Sequence, residues 1–292
     1  MGEVVAAAVL SHVPTIVLPD DVRRGLNDGR ESTLYTGLID VRREVFDVLR
    51  PDLVVVFDSH WFTTVEFVVA AQARRAGRYT SEELPRGMCQ VPYDIPGDPE
   101  FAHAVAAQSA SLDECWVTAI DDECLPIHYP TINLLGFLQG PERWVSVSVA
   151  QTGQTPDFLA VGECVGRAIA ALDRRVVLVA SGALSHTFWP LRELRAHEAA
   201  GEQHIFTKEA AAADHEVLDH WALGDHAAVI DGMPEYLRLR PEGRFGHYLM
   251  MAAAIGGRAC TARGRPYSAY ENSIGTGQAH VVFDRPDAGW TA

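Results

Sequence analysis

Three histidines occupy the same kind of address in this chain. Ser11-His12-Val13-Pro14 directly follows an apolar run at 4–10, Asp58-Ser59-His60-Trp61 follows one at 53–57, and Ser181-Gly182-Ala183-Leu184-Ser185-His186 follows one at 176–180. A carboxylate, Glu271, lies in the turn-rich stretch Tyr270-Glu271-Asn272-Ser273-Ile274-Gly275-Thr276-Gly277, ahead of a further apolar run at 279–283. Two neutral imidazoles and one carboxylate on one side of a metal leave the opposite positions open, the arrangement used by non-heme Fe(II) oxygenases. The same donors with water in the fourth position also suit a zinc hydrolase. Taken singly, each histidine is equally a loop residue satisfied by backbone carbonyls; their common placement is what points to ligands. Asp58, two residues before His60, can orient that ring or cap a turn.

Other histidines carry less. His128, in Leu125-Pro126-Ile127-His128-Tyr129-Pro130, stands in a loop, and His247 opens an apolar helical run, where packing against a sheet is the simpler reading. His103, His197, His204, His220 and His226 fall in polar or Ala-rich stretches and read as solvated. His215-Glu216-Val217-Leu218-Asp219-His220 resembles the metalloprotease His-Glu-x-x-His helix but has one residue too many. At about 100° per residue its histidines point roughly 140° apart. Gly275-Thr276-Gly277 lacks the third glycine of a dinucleotide fingerprint. Trp61, Tyr129, Phe188, Trp189 and Tyr270 flank the histidine and carboxylate segments and either line an aromatic pocket or fill core.

The elements that must position these residues are short β-branched runs, at 4–10, 53–57, 144–149 and 176–180, too short for helices. Between them Leu34, Leu38, Val41, Val45 and Leu49 recur at helical steps before Pro51, and Asp98-Pro99 and Thr155-Pro156 read as helix starts. Residues 191–223 suggest one or two solvent-facing helices and 248–255 another, while the Gly/Pro patches at 23–29 and 92–99 read as loops. Alternating strands and helices predict an α/β fold, a largely parallel central sheet with helices on both faces, as a single domain over residues 1–292. In such a sheet the carboxyl ends of the strands line the ligand crevice, so His12, His60 and His186 can converge there.

Composition narrows the function. Of 292 residues, 24 are basic and 39 acidic, a net charge of −15 that disfavours nucleic acid and anionic membranes as partners. Lys208 is the only lysine, in a polar stretch, which removes P-loop, protein-kinase and Schiff-base lysine chemistry. Five widely spaced cysteines without a Cys-x-x-Cys argue against a disulfide framework or a zinc finger. The N-terminus has no signal-peptide pattern and no apolar stretch is long enough to span a bilayer, so a cytoplasmic protein is expected.

Several segments, in order and nearly end to end, resemble the class III extradiol ring-cleavage dioxygenases, the superfamily of the protocatechuate 4,5-dioxygenase catalytic subunit, and within it the homoprotocatechuate 2,3-dioxygenases. They are Ser11-His12-Val13-Pro14, Phe57-Asp58-Ser59-His60-Trp61, Tyr79-Thr80-Ser81-Glu82-Glu83-Leu84-Pro85, Ala180 to His186, Met233-Pro234-Glu235-Tyr236, and Glu271 with Gly275-Thr276-Gly277-Gln278. The resemblance implies Fe(II), with Mn(II) as an alternative, held by His12, His60 and Glu271. It makes His186 an acid/base that does not bind metal and sets His128 beside the substrate. It further implies a catecholic substrate such as 3,4-dihydroxyphenylacetate cleaved with O2, and a homo-oligomer. An aminophenol or hydroxypyridine analogue, or a metal-free binding protein on the same fold, are the alternatives. For a carboxylated catechol, Arg244 and Arg238 are candidate partners.

Overall fold

A computed structural model of the chain describes residues 1–85, 87–112 and 115–291. Its strands are β1 (Glu3–Leu10), β2 (Leu53–Thr63), β3 (Phe67–Ala70), β4 (Arg74–Tyr79), β5 (Val91–Pro96), β6 (Val117–Ile120), β7 (Arg143–Ala150), β8 (Arg175–Ser181), β9 (Gly264–Pro266), β10 (Glu271–Ser273), β11 (Thr276–Gln278) and β12 (His280–Asp284). Eight of them form one sheet in the order β6-β3-β7-β2-β8-β1-β12-β9. The centre, β7-β2-β8-β1, is parallel, and β12 and β9 close one edge antiparallel. This is the predicted α/β fold. β10 with β11 and β4 with β5 form two separate hairpins.

Two-residue alternation sorts the central strands onto two cores. Val55, Phe57, Val145, Val147, Leu178 and Ala180 face the helices Pro99–Ser109, Thr155–Ala171 and Gly246–Ala254. Val54, Val56, Val177, Val179 and Trp144 face the helices Thr33–Val41 and Tyr129–Leu138. Near-continuous apolar strands are what a sheet covered on both faces requires.

Some boundaries differ from the sequence reading, each for a local reason. Asp98 caps its helix as expected, Oδ1 accepting from Phe101 N at 3.1 Å. The helix Thr155–Ala171 is capped one residue earlier, at Gln154, whose N–H donates to Asp157 Oδ2 at 2.8 Å. The patch at 23–29 begins inside the helix Asp20–Gly25, because the buried Arg23 guanidinium is held by Glu31 and Asp20. The patch at 92–99 belongs largely to β5, paired with β4. Residues 191–207 hold only short 3-10 turns before the helix Lys208–Leu223, and lie against the β10–β11 hairpin.

Candidate metal centre

β1, β8 and β2 end side by side, Leu10 and Asp58 both pairing with Ser181. His12 follows two residues beyond β1. His60 is thrown out of β2 by a break in register: Asp58 pairs with Ser148 of β7 and Phe62 with the next residue, Val149, leaving Ser59, His60 and Trp61 bulged. The fully buried Asp58 shapes that bulge. Its Oδ1 accepts from His60 N at 3.1 Å and Trp61 N at 3.2 Å, and its Oδ2 from Thr131 Oγ1 at 2.7 Å. Of the two roles open to Asp58, the structure shows the turn cap.

The carboxylate that meets these histidines is Glu242, not Glu271. His12 Nε2 lies 3.3 Å and His60 Nε2 3.1 Å from Glu242 Oε1. The three donor atoms lie within 4.8 Å of one another. Glu271, the acid expected from sequence, is spent on a helix end: Oε2 accepts from Ser32 Oγ at 2.6 Å, and Oε1 from Thr33 N at 2.7 Å and from Thr33 Oγ1. It caps the helix Thr33–Val41, whose N-terminal amides attract a carboxylate.

Glu242 escapes the strand-end rule because it stands on no strand. It sits in a tight connection where Arg240, Gly243, Arg244 and Phe245 have φ of 53, 53, 57 and 61°. Three of these four are not glycine, and such left-handed backbone is costly and concentrates at functional sites. No sequence pattern announces it; Pro241-Glu242-Gly243 is the nearest signal.

The ring orientations are set from behind. His12 Nδ1 contacts Ser181 Oγ at 2.9 Å and His60 Nδ1 contacts Glu83 Oε1 at 3.2 Å, so both Nε2 atoms turn to Glu242. Tyr129 Oη and Asn133 Nδ2 both donate to the His12 carbonyl and fix its loop. Glu242, 4% exposed, also accepts from Ser59 Oγ and from Ala183 N. Burial alone would raise its pKa, but the facing imidazoles of His12 and His60 outweigh this and hold it well below the carboxylate range. For His60, burial works downward and is outweighed by Glu242 and Glu83, which push its pKa up to about 10. A buried anion facing two imidazoles attracts positive charge to one point. Donors about 2.0–2.2 Å from a first-row metal at right angles lie about 3 Å apart, close to the spacings seen, so the donor set fits a divalent metal.

His186 Nε2 lies 3.8 Å from Glu242 Oε2, with its ring against Phe188 at 4.6 Å between centroids. Burial lowers its pKa, so it is neutral at pH 7 and free to accept a proton. His128 is not among the residues lining the cavity; it stacks on Trp61 at 5.4 Å, its Nε2 buried without a partner among the described residues. His12, His60, His186 and Glu242 stand together in a cavity of about 530 Å³. Apolar side chains such as Val13, Pro14, Leu18, Leu84, Pro85 and Phe188 make up much of its wall, with the polar side chains Thr15, Glu83, Glu198, Ser273, Thr276 and Gln278 among them. Among the described residues its arginine is Arg195; Arg244 donates instead to Gly153 O and Arg238 pairs with Glu235. Of the flanking aromatics Tyr129 and Phe188 line the cavity, while Trp189 stacks on His197 and Tyr270 bonds Asp214.

The remaining histidines separate. His247 is fully buried against Gly182, as a packing residue, and burial lowers its pKa to about 4. His226, expected in solvent, is fully buried between Tyr248 Oη and Ala262 O, and His197 and His204 are half-buried and meet at 3.1 Å through Nδ1. His215 pairs with Glu202, so the helix Lys208–Leu223 presents no two-histidine grip.

The chain is similar to known proteins over most of its length. The chain is 28% identical to 3,4-dihydroxyphenylacetate 2,3-dioxygenase of Escherichia coli over 243 residues, 81% of this chain and 84% of that protein. It is 23% identical to the 2-aminophenol 1,6-dioxygenase beta subunit of a Pseudomonas species, over 99% of this chain and 96% of the other. A crystal structure of an uncharacterized Escherichia coli K12 protein shares the fold, with a TM-score of 0.61 at 16% identity, covering 96% of this chain and 99% of that one. Residues 6–283 match the family described as the catalytic LigB subunit of aromatic ring-opening dioxygenase, and the chain belongs to that family.

Proposed function

We propose that the protein opens the ring of a catechol-type aromatic with O2, using Fe(II) held by His12, His60 and Glu242. The observation that carries this reading is the convergence of two imidazoles and one buried carboxylate on one wall of a cavity, with the imidazole of His186 beside them. Iron bound there would supply the electron relay between an electron-rich ring and O2. The chain's own contributions are positional. Tyr129 and Asn133 hold the His12 loop, Asp58 holds the His60 bulge, and Ser181 and Glu83 fix the two ring orientations. His186 takes the phenolic proton at Nε2 and returns it as the ring opens.

The names of the similar proteins support a substituted catechol, with 3,4-dihydroxyphenylacetate as first choice and an aminophenol as second. A cavity of about 530 Å³ leaves room for a ring substituent, and Arg195 on its wall is the candidate partner for a carboxylate. By family resemblance the working form is a cytoplasmic homo-oligomer, which light scattering tests. The decisive assay loads the chain anaerobically with Fe(II), Mn(II) or Zn(II), adds catechols and 2-aminophenol, then admits air. Oxygen uptake with a yellow semialdehyde in the iron form supports the reading. Hydrolytic activity with zinc alone, or no reaction with any metal, contradicts it.

A further inference from the structure

Asp214 is a fully buried carboxylate in the helix Lys208–Leu223, outside the cavity lining. Its partners are hydroxyls and one amide. Oδ1 accepts from Ser185 N at 3.0 Å and Tyr236 Oη at 2.8 Å; Oδ2 accepts from Ser185 Oγ and Tyr270 Oη, both at 2.6 Å. Two of these four bonds go to the residue immediately before His186. A Cβ added at Gly277 would stand 1.9 Å from Asp214 Oδ2, so the β11 backbone is pressed onto the same carboxylate.

The segment gripped in this way carries the chemistry. Ser185 O accepts from Gly277 N at 2.9 Å, and Ser185 bridges Pro241. His186 N donates to Arg240 O at 3.0 Å, and Glu242 N donates to Leu184 O at 3.1 Å. Residues 184–186 therefore lie between β11 and the connection that presents Glu242. Charged groups in the interior persist only where their hydrogen bonds are satisfied, and here four donors meet one side chain.

We infer that Asp214 is a positioning residue: by fixing Ser185 it sets the place of His186 opposite Glu242, and so the rate of the step that needs the His186 proton transfer. This rests on the role given to His186 above. Misplacing a reacting group by about 1 Å can cost about 100-fold in rate, so Asp214→Asn should lower kcat about 10- to 100-fold with KM and iron content little changed.

A cycle with His186→Ala separates positioning from general loosening. In the His186→Ala background, Asp214→Asn should change kcat less than about 2-fold. The same fold-loss in both backgrounds overturns the proposal. A second readout needs no turnover: in the metal-stripped full chain, the His186 ring resonance, identified by its absence in His186→Ala, should shift or broaden in Asp214→Asn while that of His280 does not. An unmoved His186 resonance overturns the proposal. Should Asp214→Asn fail to fold, Tyr270→Phe, which removes one of the four donors at a half-buried site, should move kcat and the resonance in the same directions, and no change in either overturns it. If His186→Ala is as active as the parent, the acid/base reading fails instead, and the resonance test still decides whether Asp214 places the ring.

Discussion

Ser181 and Glu83, behind the two imidazoles, set which ring nitrogens face the site. Ser181 Oγ lies 2.9 Å from His12 Nδ1, and removing such a partner ordinarily weakens metal binding about 10- to 100-fold. Ser181→Ala should therefore keep its fold and lose at least about 10-fold in affinity in an anaerobic chelator competition; an unchanged affinity would contradict the orienting role. His186 makes a different forecast. Its pKa lies below the usual 6.5, lowered by burial, so its neutral form prevails above that pH and is lost as pH falls. On that basis kcat should be flat above about pH 6.5 and decline on the acid side. His186→Phe should retain iron, lose about 10²- to 10⁴-fold in kcat, and lose that acid limb; a limb that persists would assign the titration to another group.

At the scale of elements, the strands and their order of use were legible because buried β-branched runs have few other fates. Leu53-Val54-Val55-Val56-Phe57 and Val176-Val177-Leu178-Val179-Ala180 became β2 and β8, and the strand-end rule brought His12, His60 and His186 together. The rule misled at the carboxylate. Glu271 precedes an apolar strand, but it faces the helix Thr33–Val41, while Glu242 comes from a left-handed connection that no hydrophobic period marks. Such tertiary consequences require knowing which helix end lies beside which hairpin. Glu271→Ala should destabilise the chain by about 1–3 kcal/mol, the cost of leaving buried donors unpaired, measured by urea unfolding; a loss below a few tenths would contradict the cap. Gly277→Ala should cost about as much through overpacking against Asp214.

For the whole molecule, burial of imidazoles makes stability depend on pH. His247 and His280 are fully buried with pKa lowered to about 4, and His226 is lowered as well, in each case by burial. The unfolded chain takes up these protons near 6.5, so the stability they allow is complete above that pH and is lost as pH falls toward about 4. The slope is about 1.4 kcal/mol per pH unit for each such group. His60 has the opposite sign: raised to about 10, its contribution in the metal-stripped chain is complete below 6.5 and lost as pH rises through about 10. Thermal melts of the stripped chain should therefore fall steeply between pH 6.5 and 4 and more gently toward pH 10; a melting temperature flat across the acid range would contradict the buried neutral state.

One of two carboxylates, Glu242 or Glu271, completes the metal site. The most direct measurement is bound iron per chain, after anaerobic loading and gel filtration, in Glu242→Ala and Glu271→Ala beside the parent. Glu242→Ala should lose most of its iron while remaining folded, and Glu271→Ala should keep iron near the parent level despite its lower stability. Full occupancy in Glu242→Ala, or loss of iron confined to Glu271→Ala, would contradict the site described here.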